Sequence, residues 1–133
     1  MRARSPPPLS TVRLVTPDAI QERIKKALAL EGTHSWADVK ERLHTGQAQM
    51  FWNESGVWIT EVMDAPLKRY LNCWVVAGEL PGVMDLQDEV LKYARDMGCV
   101  DIAATARLGW KHVARAHGWK EKAMLISHEV PHA

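Results

Sequence analysis

The sequence predicts one α/β (α+β) domain, a mixed and mostly antiparallel sheet flanked by helices. Three observations carry that expectation. Two alternating segments, residues 47–52 and 57–63, stand on either side of Asn53-Glu54-Ser55-Gly56, the pattern of a hairpin. A third segment, residues 69–77, becomes apolar on both faces toward its end, as a central strand does. It is followed by Val83, Leu86, Val90, Ala94 and Met97 at helical spacing and then by a second apolar run, residues 100–105. That is the order of a strand–helix–strand crossover between parallel neighbours.

Taken in order, residues 11–15 read as a short first strand. Thr16-Pro17-Asp18 has the form of a helix start, with a capping hydroxyl, proline at the first helical position and an acid in the first turn. Ile20, Ile24 and Leu28 recur every four residues and give that helix one apolar stripe, closed by Gly32. Ser35 and Asp38 have capping-box spacing, with Asp in place of the usual Glu, and open a short second helix toward His44. Ala48, Met50 and Trp52 share one face of the hairpin, and Asp64-Ala65-Pro66 makes the next turn. Pro81-Gly82 breaks the central strand, and Gly98 stops the helix over 83–97. After the crossover come a helix opened by Arg107-Leu108-Gly109-Trp110, a Gly118-Trp119 stop and an amphipathic last strand over 120–130.

The sum is β-α-α-β-β-β-α-β-α-β, a sheet of six or so strands with the fourth and fifth parallel and with Trp74, Val76, Ile102 and Val113 buried. The domain occupies residues 10–130. A proline-rich arm, residues 1–9, precedes it and a short tail, residues 131–133, follows. The arm holds Pro6-Pro7-Pro8 and has no core of its own, so its deletion is expected to leave the fold intact.

A chain of 133 residues is long enough to bury a core without disulfides or metals. Hydrophobic residues are 47% and charged residues 25%, with a net charge of +1. No global field therefore drives it onto nucleic acid or anionic membrane. No stretch approaches the ~18 apolar residues of a membrane span, and the start has no apolar signal-peptide core. Cys73 and Cys99 both lie in apolar runs, and the six histidines show no metal-ligand spacing, so neither a metal nor a Cys–His nucleophile is expected.

The order of elements, and above all the run from Gly98 to Val130, resembles the N-acetyltransferase-like GNAT fold. Arg107-x-Gly109-Trp110 followed by Gly118-Trp119 is similar to the pattern of GNAT-like proteins encoded by tailed bacteriophages. That resemblance implies a virion or virion-assembly protein, made in the host cytoplasm, with portal, tail or head proteins as partners. It also makes a homo-oligomer within such an assembly an expectation. The same five residues, Arg107, Gly109, Trp110, Gly118 and Trp119, would then be architectural. Arg107 would satisfy carbonyls or an acid where strand meets helix, Trp110 would fill space against the sheet, and Gly109 would permit close approach.

What the family uses for catalysis is missing. Its pyrophosphate loop, Arg/Gln-x-x-Gly-x-Gly/Ala, is replaced over residues 78–85 by Gly-Glu-Leu-Pro-Gly-Val-Met-Asp, with two glycines at another spacing and no leading cation. Asp85, Asp88 and Glu89 would crowd the helix end that receives phosphate. The family's tyrosine acid, four residues before the Gly-aromatic pair, falls on Ala114, and Glu61 and Glu79 read as solvated carboxylates. No catalytic residue and no cofactor are expected; acetyl-CoA enters only under the alternative of a divergent acyl-CoA-dependent N-acetyltransferase. A third alternative is nucleic-acid binding through residues 107–122, where five cations stand against the single acid Glu121, a local +4. Candidate interaction residues are Lys111, Arg115, Lys120 and Lys122, together with Trp52 and Trp58 on the hairpin, where an exposed tryptophan would anchor an interface.

Overall fold

The computed structural model describes residues 17–106 and 108–131. The proline arm, the strand expected at 11–15, Thr16 and Arg107 lie outside the described residues. Helix α1 is Asp18–Glu31 and α2 is Trp36–Thr45; strands β1 (Gln49–Trp52), β2 (Gly56–Ala65) and β3 (Lys68–Gly78) follow. Then come α3 (Leu80–Asp85), α4 (Gln87–Asp96), β4 (Ile102–Ala104), a 3-10 turn over Leu108–Trp110 and α5 (Lys111–Ala116).

The sheet order is β1-β2-β3-β4. The first three strands are antiparallel neighbours and β4 is parallel to β3, with Leu71, Cys73 and the residue between them opposite Ile102, Ala104 and Ala103. The fold class is the expected one, a mixed and mostly antiparallel sheet between helices. It differs at its far end. Residues 120–131 pair with no strand among the described residues, so the described sheet has four strands. Trp74, Val76, Ile102 and Val113 are half-buried rather than buried.

Local chemistry sets most boundaries. In α1, Ile20, Ile24 and Leu28 are buried, and Gly32 ends the helix at φ 74° with its N–H on the Leu28 carbonyl. Pro17 sits at the cap position, one residue earlier than expected. The Ser35/Asp38 capping box is present in both directions: Asp38 N–H donates to Ser35 Oγ at 3.2 Å and Ser35 N–H to Asp38 Oδ2 at 2.8 Å. The Ser35 N–H and the Ser35 hydroxyl both donate to Asp38 Oδ2, and they hold the Asp38 carboxyl below its ordinary pKa.

Two cores form, one on each side of the sheet. On one face α1 and α2 cover Ala48, Met50, Val57, Ile59 and Val75, with Trp52 and Trp74 packed at the margin. On the other, α3 and α4 cover Phe51, Trp58, Leu71 and Cys73, with Trp110 and Trp119 packed against them. Burial pushes the Cys73 thiol up to about 12, which leaves it an inert core residue. Between the strands one polar pair is buried and satisfied: Thr60 Oγ1 donates to Gln49 Oε1 at 3.1 Å.

Two sheet faces explain the two hairpin tryptophans. Trp58 is 1% exposed and donates its indole N–H to the Val83 carbonyl at 2.9 Å; Trp52 is half-buried against the opposite helices. The expectation that this hairpin carries an exposed tryptophan anchor is therefore corrected, because both faces of the sheet are covered. The helix expected over 83–97 is also corrected. It starts earlier, at Leu80, and breaks at Leu86 into α3 and α4.

Candidate functional site

Three places bear on chemistry: the loop that follows β3, the last helix with its Gly-Trp stop, and a polar cluster on the α1/α2 face.

The loop is locked onto the hairpin turn. Asn53 folds its turn by accepting, at Oδ1, the N–H groups of Ser55 (3.0 Å) and Gly56 (2.8 Å). Its Nδ2 then reaches across and donates to the Gly82 carbonyl at 2.8 Å. Glu79 N–H donates to the Ser55 carbonyl at 2.9 Å, and Val83 N–H to the Glu79 carbonyl at 3.0 Å. The glycines serve this contact. A Cβ on Gly78, whose φ is 127°, would stand 2.2 Å from the Ser55 carbonyl oxygen, and one on Gly82 would stand 1.9 Å from Ser55 Oγ. Gly78 lets one backbone approach another and Gly82 makes room for the Ser55 side chain, which is the alternative to approaching a phosphate. Pro81 has no N–H to offer in any case.

The acids sit differently from expectation. Because the helix breaks at Leu86, Asp85 ends α3, while Asp88 and Glu89 open α4 and complement that helix's dipole. At the loop itself the acid is Glu79, 3.7 Å from Arg23 of α1.

At the other end of the domain, Ala114 lies half-buried on α5 and carries no proton donor. Gly118 adopts φ 91° and turns the chain, so that Trp119 lies back over α4. Its indole N–H donates to Gln87 Oε1 at 2.8 Å while Gln87 Nε2 donates to the His117 carbonyl at 2.9 Å. The Trp119 ring sits 6.1 Å from that of Trp58. Trp110 packs half-buried on the same core, whereas Gly109 is exposed with open space where its side chain would be. Close approach is therefore not what Gly109 supplies. The cations are partly neutralised: Lys111 and Arg115 both pair with Glu121, and Lys122 lies 3.9 Å from Asp101. Lys120 is exposed. Asp101 Oδ1 is buried with no hydrogen-bond partner among the described residues.

Sequence reasoning missed the third place. Arg42, three residues after the buried Val39 on α2, donates to Glu61 Oε2 on β2 at 2.8 Å and lies over the Trp74 ring of β3 at 4.7 Å. Its Nη2 is 3.4 Å from His34 Nε2, and the His34 ring meets the Trp74 ring edge-on at 4.8 Å. A guanidinium only donates, so His34 Nε2 accepts and Nδ1 carries the proton toward Thr33 Oγ1, 2.8 Å away. Thr33 in turn donates to Glu31 Oε1 at 2.8 Å. Glu61 is thus a largely covered, paired carboxylate rather than a solvated one. The cluster joins the α1–α2 connection to the central strands. Its members are scattered over residues 31–74 with no shared spacing, and Arg42 on the Val39 face was the one available signal. Among the described residues no group of three or more His, Cys, Asp or Glu is placed to hold a metal ion, and no helix is long and apolar enough to cross a membrane.

Against this geometry the comparisons speak to fold. No family model and no curated protein matches the sequence. Solved structures do match over most of the chain. A probable acetyltransferase is similar at 14% identity and TM-score 0.65, over 96% of this chain and 95% of that one. The glucosamine-6-phosphate N-acetyltransferase of Arabidopsis thaliana is similar at 10% identity and TM-score 0.58, over 80% and 88%. An aminoglycoside acetyltransferase from an uncultured soil sample is similar at 11% identity and TM-score 0.61, over 82% and 86%. The chain has a GNAT-like fold. At such identities the likeness is one of architecture, and substrate and activity stay with those proteins.

Proposed function

We propose that this protein uses the GNAT-like fold for protein–protein contact instead of acetyl transfer, as a phage-encoded virion or virion-assembly component. One observation carries the non-catalytic part. The loop that would cradle a pyrophosphate is packed onto the hairpin instead, with Glu79 N–H donated to the Ser55 carbonyl, the Gly82 carbonyl taken up by Asn53 Nδ2 and both glycines packed against Ser55. Freeing it would mean separating β-hairpin and loop. Ala114 in place of a tyrosine supports the same reading. The phage part rests on the Arg107-x-Gly109-Trp110 … Gly118-Trp119 resemblance, and portal, tail or head proteins are the partners it suggests. Mass spectrometry of purified particles from a phage encoding this chain is the test. The protein is expected at a fixed copy number per particle; a chain confined to the lysate supernatant would overturn the virion assignment.

A divergent acyl-CoA-dependent N-acetyltransferase is the second reading, and two observations favour it. The structural neighbours named above are all described as acetyltransferases. Beyond Cys73 the outer edge of β3 has no strand partner among the described residues, because β4 ends at Ala104, and an extended ligand would find free backbone there. Glu61, beside Arg42 and His34, would be its candidate base. Transfer of acetyl from acetyl-CoA to an amine by the wild-type protein, lost in Glu61→Gln, would promote this reading.

A further inference from the structure

The connection between α1 and α2, residues 32–35, rests on the sheet through one side chain. Gly32, Thr33 and Ser35 are exposed, whereas His34 turns inward and its ring meets the Trp74 ring of β3 edge-on at 4.8 Å. Gly32 closes α1 and Ser35 caps α2, so the connection is fastened at both ends and its middle depends on His34.

Both ring nitrogens of His34 are committed to the neutral form. Nδ1–H donates to Thr33 Oγ1 at 2.8 Å, and that hydroxyl donates onward to Glu31 Oε1 at 2.8 Å. Nε2 accepts from Arg42 Nη2 at 3.4 Å. A second proton, placed on Nε2, removes the acceptor and sets an imidazolium against a guanidinium at that distance. Arg42 is not free to give way. Its Nη1 donates to Glu61 Oε2 at 2.8 Å, on a side chain only 15% exposed, and its guanidinium lies over Trp74 at 4.7 Å. Withdrawing it would leave a largely covered carboxylate unpaired. His34 sits on an exposed connection and moves at lower cost.

Among the described residues, the charged groups that face the ring are Arg42 and Asp38 of α2, Glu31 at the end of α1 across Thr33, and Glu61 of β2 behind Arg42. β3 contributes the uncharged Trp74. The acids attract an imidazolium, but each is already engaged: Asp38 Oδ2 by the Ser35 N–H and hydroxyl, Glu31 by Thr33, and Glu61 by Arg42. We propose that the His34–Arg42 contact is an acid-sensitive latch. With His34 neutral it fastens the α1–α2 connection over Trp74 and Glu61, and protonation of His34 releases the connection and uncovers them. Histidine changes charge between about pH 5 and pH 8. The latch is therefore closed at the upper end of that range and opens as pH falls through it. The Asp38 and Asp64 carboxyls, lowered by their own bonds, stay ionised meanwhile. The device does not depend on whether the chain transfers acyl groups.

Nuclear Overhauser contacts between the His34 ring and the Trp74 indole, measured on the full wild-type chain, are the direct test. They should be present at about pH 8 and lost at about pH 5, with the signals of the buried core unchanged. Contacts that persist at the lower pH would overturn the proposal. Arg42→Gln removes the opposing cation, and its side chain can either donate to the ring or accept from it. In that variant the contacts should survive at both pH values; their loss on acidification, as in wild type, would separate the effect from Arg42 and sink the latch. Fluorine NMR of the chain labelled with 5-fluorotryptophan gives an independent reading. The Trp74 signal, assigned with Trp74→Phe, should move between the two pH values in wild type and stay put in His34→Gln. An equal movement in His34→Gln would also overturn the proposal.

Discussion

Gly78→Ala is the sharpest perturbation of the lock between loop and hairpin. The new Cβ would stand 2.2 Å from the Ser55 carbonyl oxygen and 2.7 Å from Gly56 Cα, both backbone atoms that cannot rotate away. Overpacking of this kind costs about 1–3 kcal/mol. The φ of 127° adds a further ~1–2 kcal/mol for any residue with a Cβ. The sum is about 2–5 kcal/mol. For a domain of this size it lowers Tm by roughly 6–20 °C. Gly82→Ala is a built-in comparison, because its nearest clash is the rotatable Ser55 Oγ. It should cost less, and Ser55→Ala should recover part of the loss in a double-mutant cycle. Urea denaturation followed by tryptophan fluorescence measures wild type and all four variants. A Gly78→Ala midpoint equal to wild type would refute the packing account and return these glycines to a ligand.

Four further outcomes follow from the same contacts. Trp58→Ala should cost ~3–5 kcal/mol, since the ring is buried and its N–H satisfies the Val83 carbonyl; Trp110→Ala, half-buried, should cost clearly less in the same denaturation assay. Glu61→Gln should cost about 1–2 kcal/mol by weakening a part-buried pair with Arg42, and a double-mutant cycle with Arg42→Gln should show coupling. The Asp38 carboxyl is lowered by its bonds to Ser35, and that of Asp64 by its bond to Arg69. Their contribution is therefore complete above the ordinary aspartate pKa and is lost as pH falls through the lowered folded values, so Asp38→Asn should flatten the acid limb of a stability–pH curve. Alkylation of the native protein at mildly alkaline pH should spare Cys73 until unfolding, because its thiol is held at about 12.

Much of the fold was legible because its signals are local. The four-residue stripe of α1, the Ser35/Asp38 box, the Asn53–Gly56 turn and the apolar run before the crossover each act within a few residues, and each marks the element it suggested. The break at Leu86 was not legible. No proline or glycine marks it; its first residue, Gln87, is bonded to Trp119 and His117 some thirty residues away. Trp58 was misjudged for a related reason. Alternation shows that Trp52 and Trp58 point to opposite faces, and only the helices packed on both sides decide that neither is a surface anchor. The absence of a family-type loop could be read from residues 78–85, but what the glycines do instead could not. Ser55 and Asn53 meet Gly82 only once the hairpin has folded over it. The Arg42–Glu61–His34–Trp74 cluster was invisible for the same reason, since it joins a connection, a helix and two strands.

Isothermal titration of the full chain with acetyl-CoA and with coenzyme A tests the central claim most directly. With the loop spent on the hairpin and no leading cation to meet a pyrophosphate, neither ligand should give heat of binding at millimolar concentration. A dissociation constant in the micromolar range, ~8 kcal/mol of binding free energy, would contradict the account and establish the cofactor site it denies.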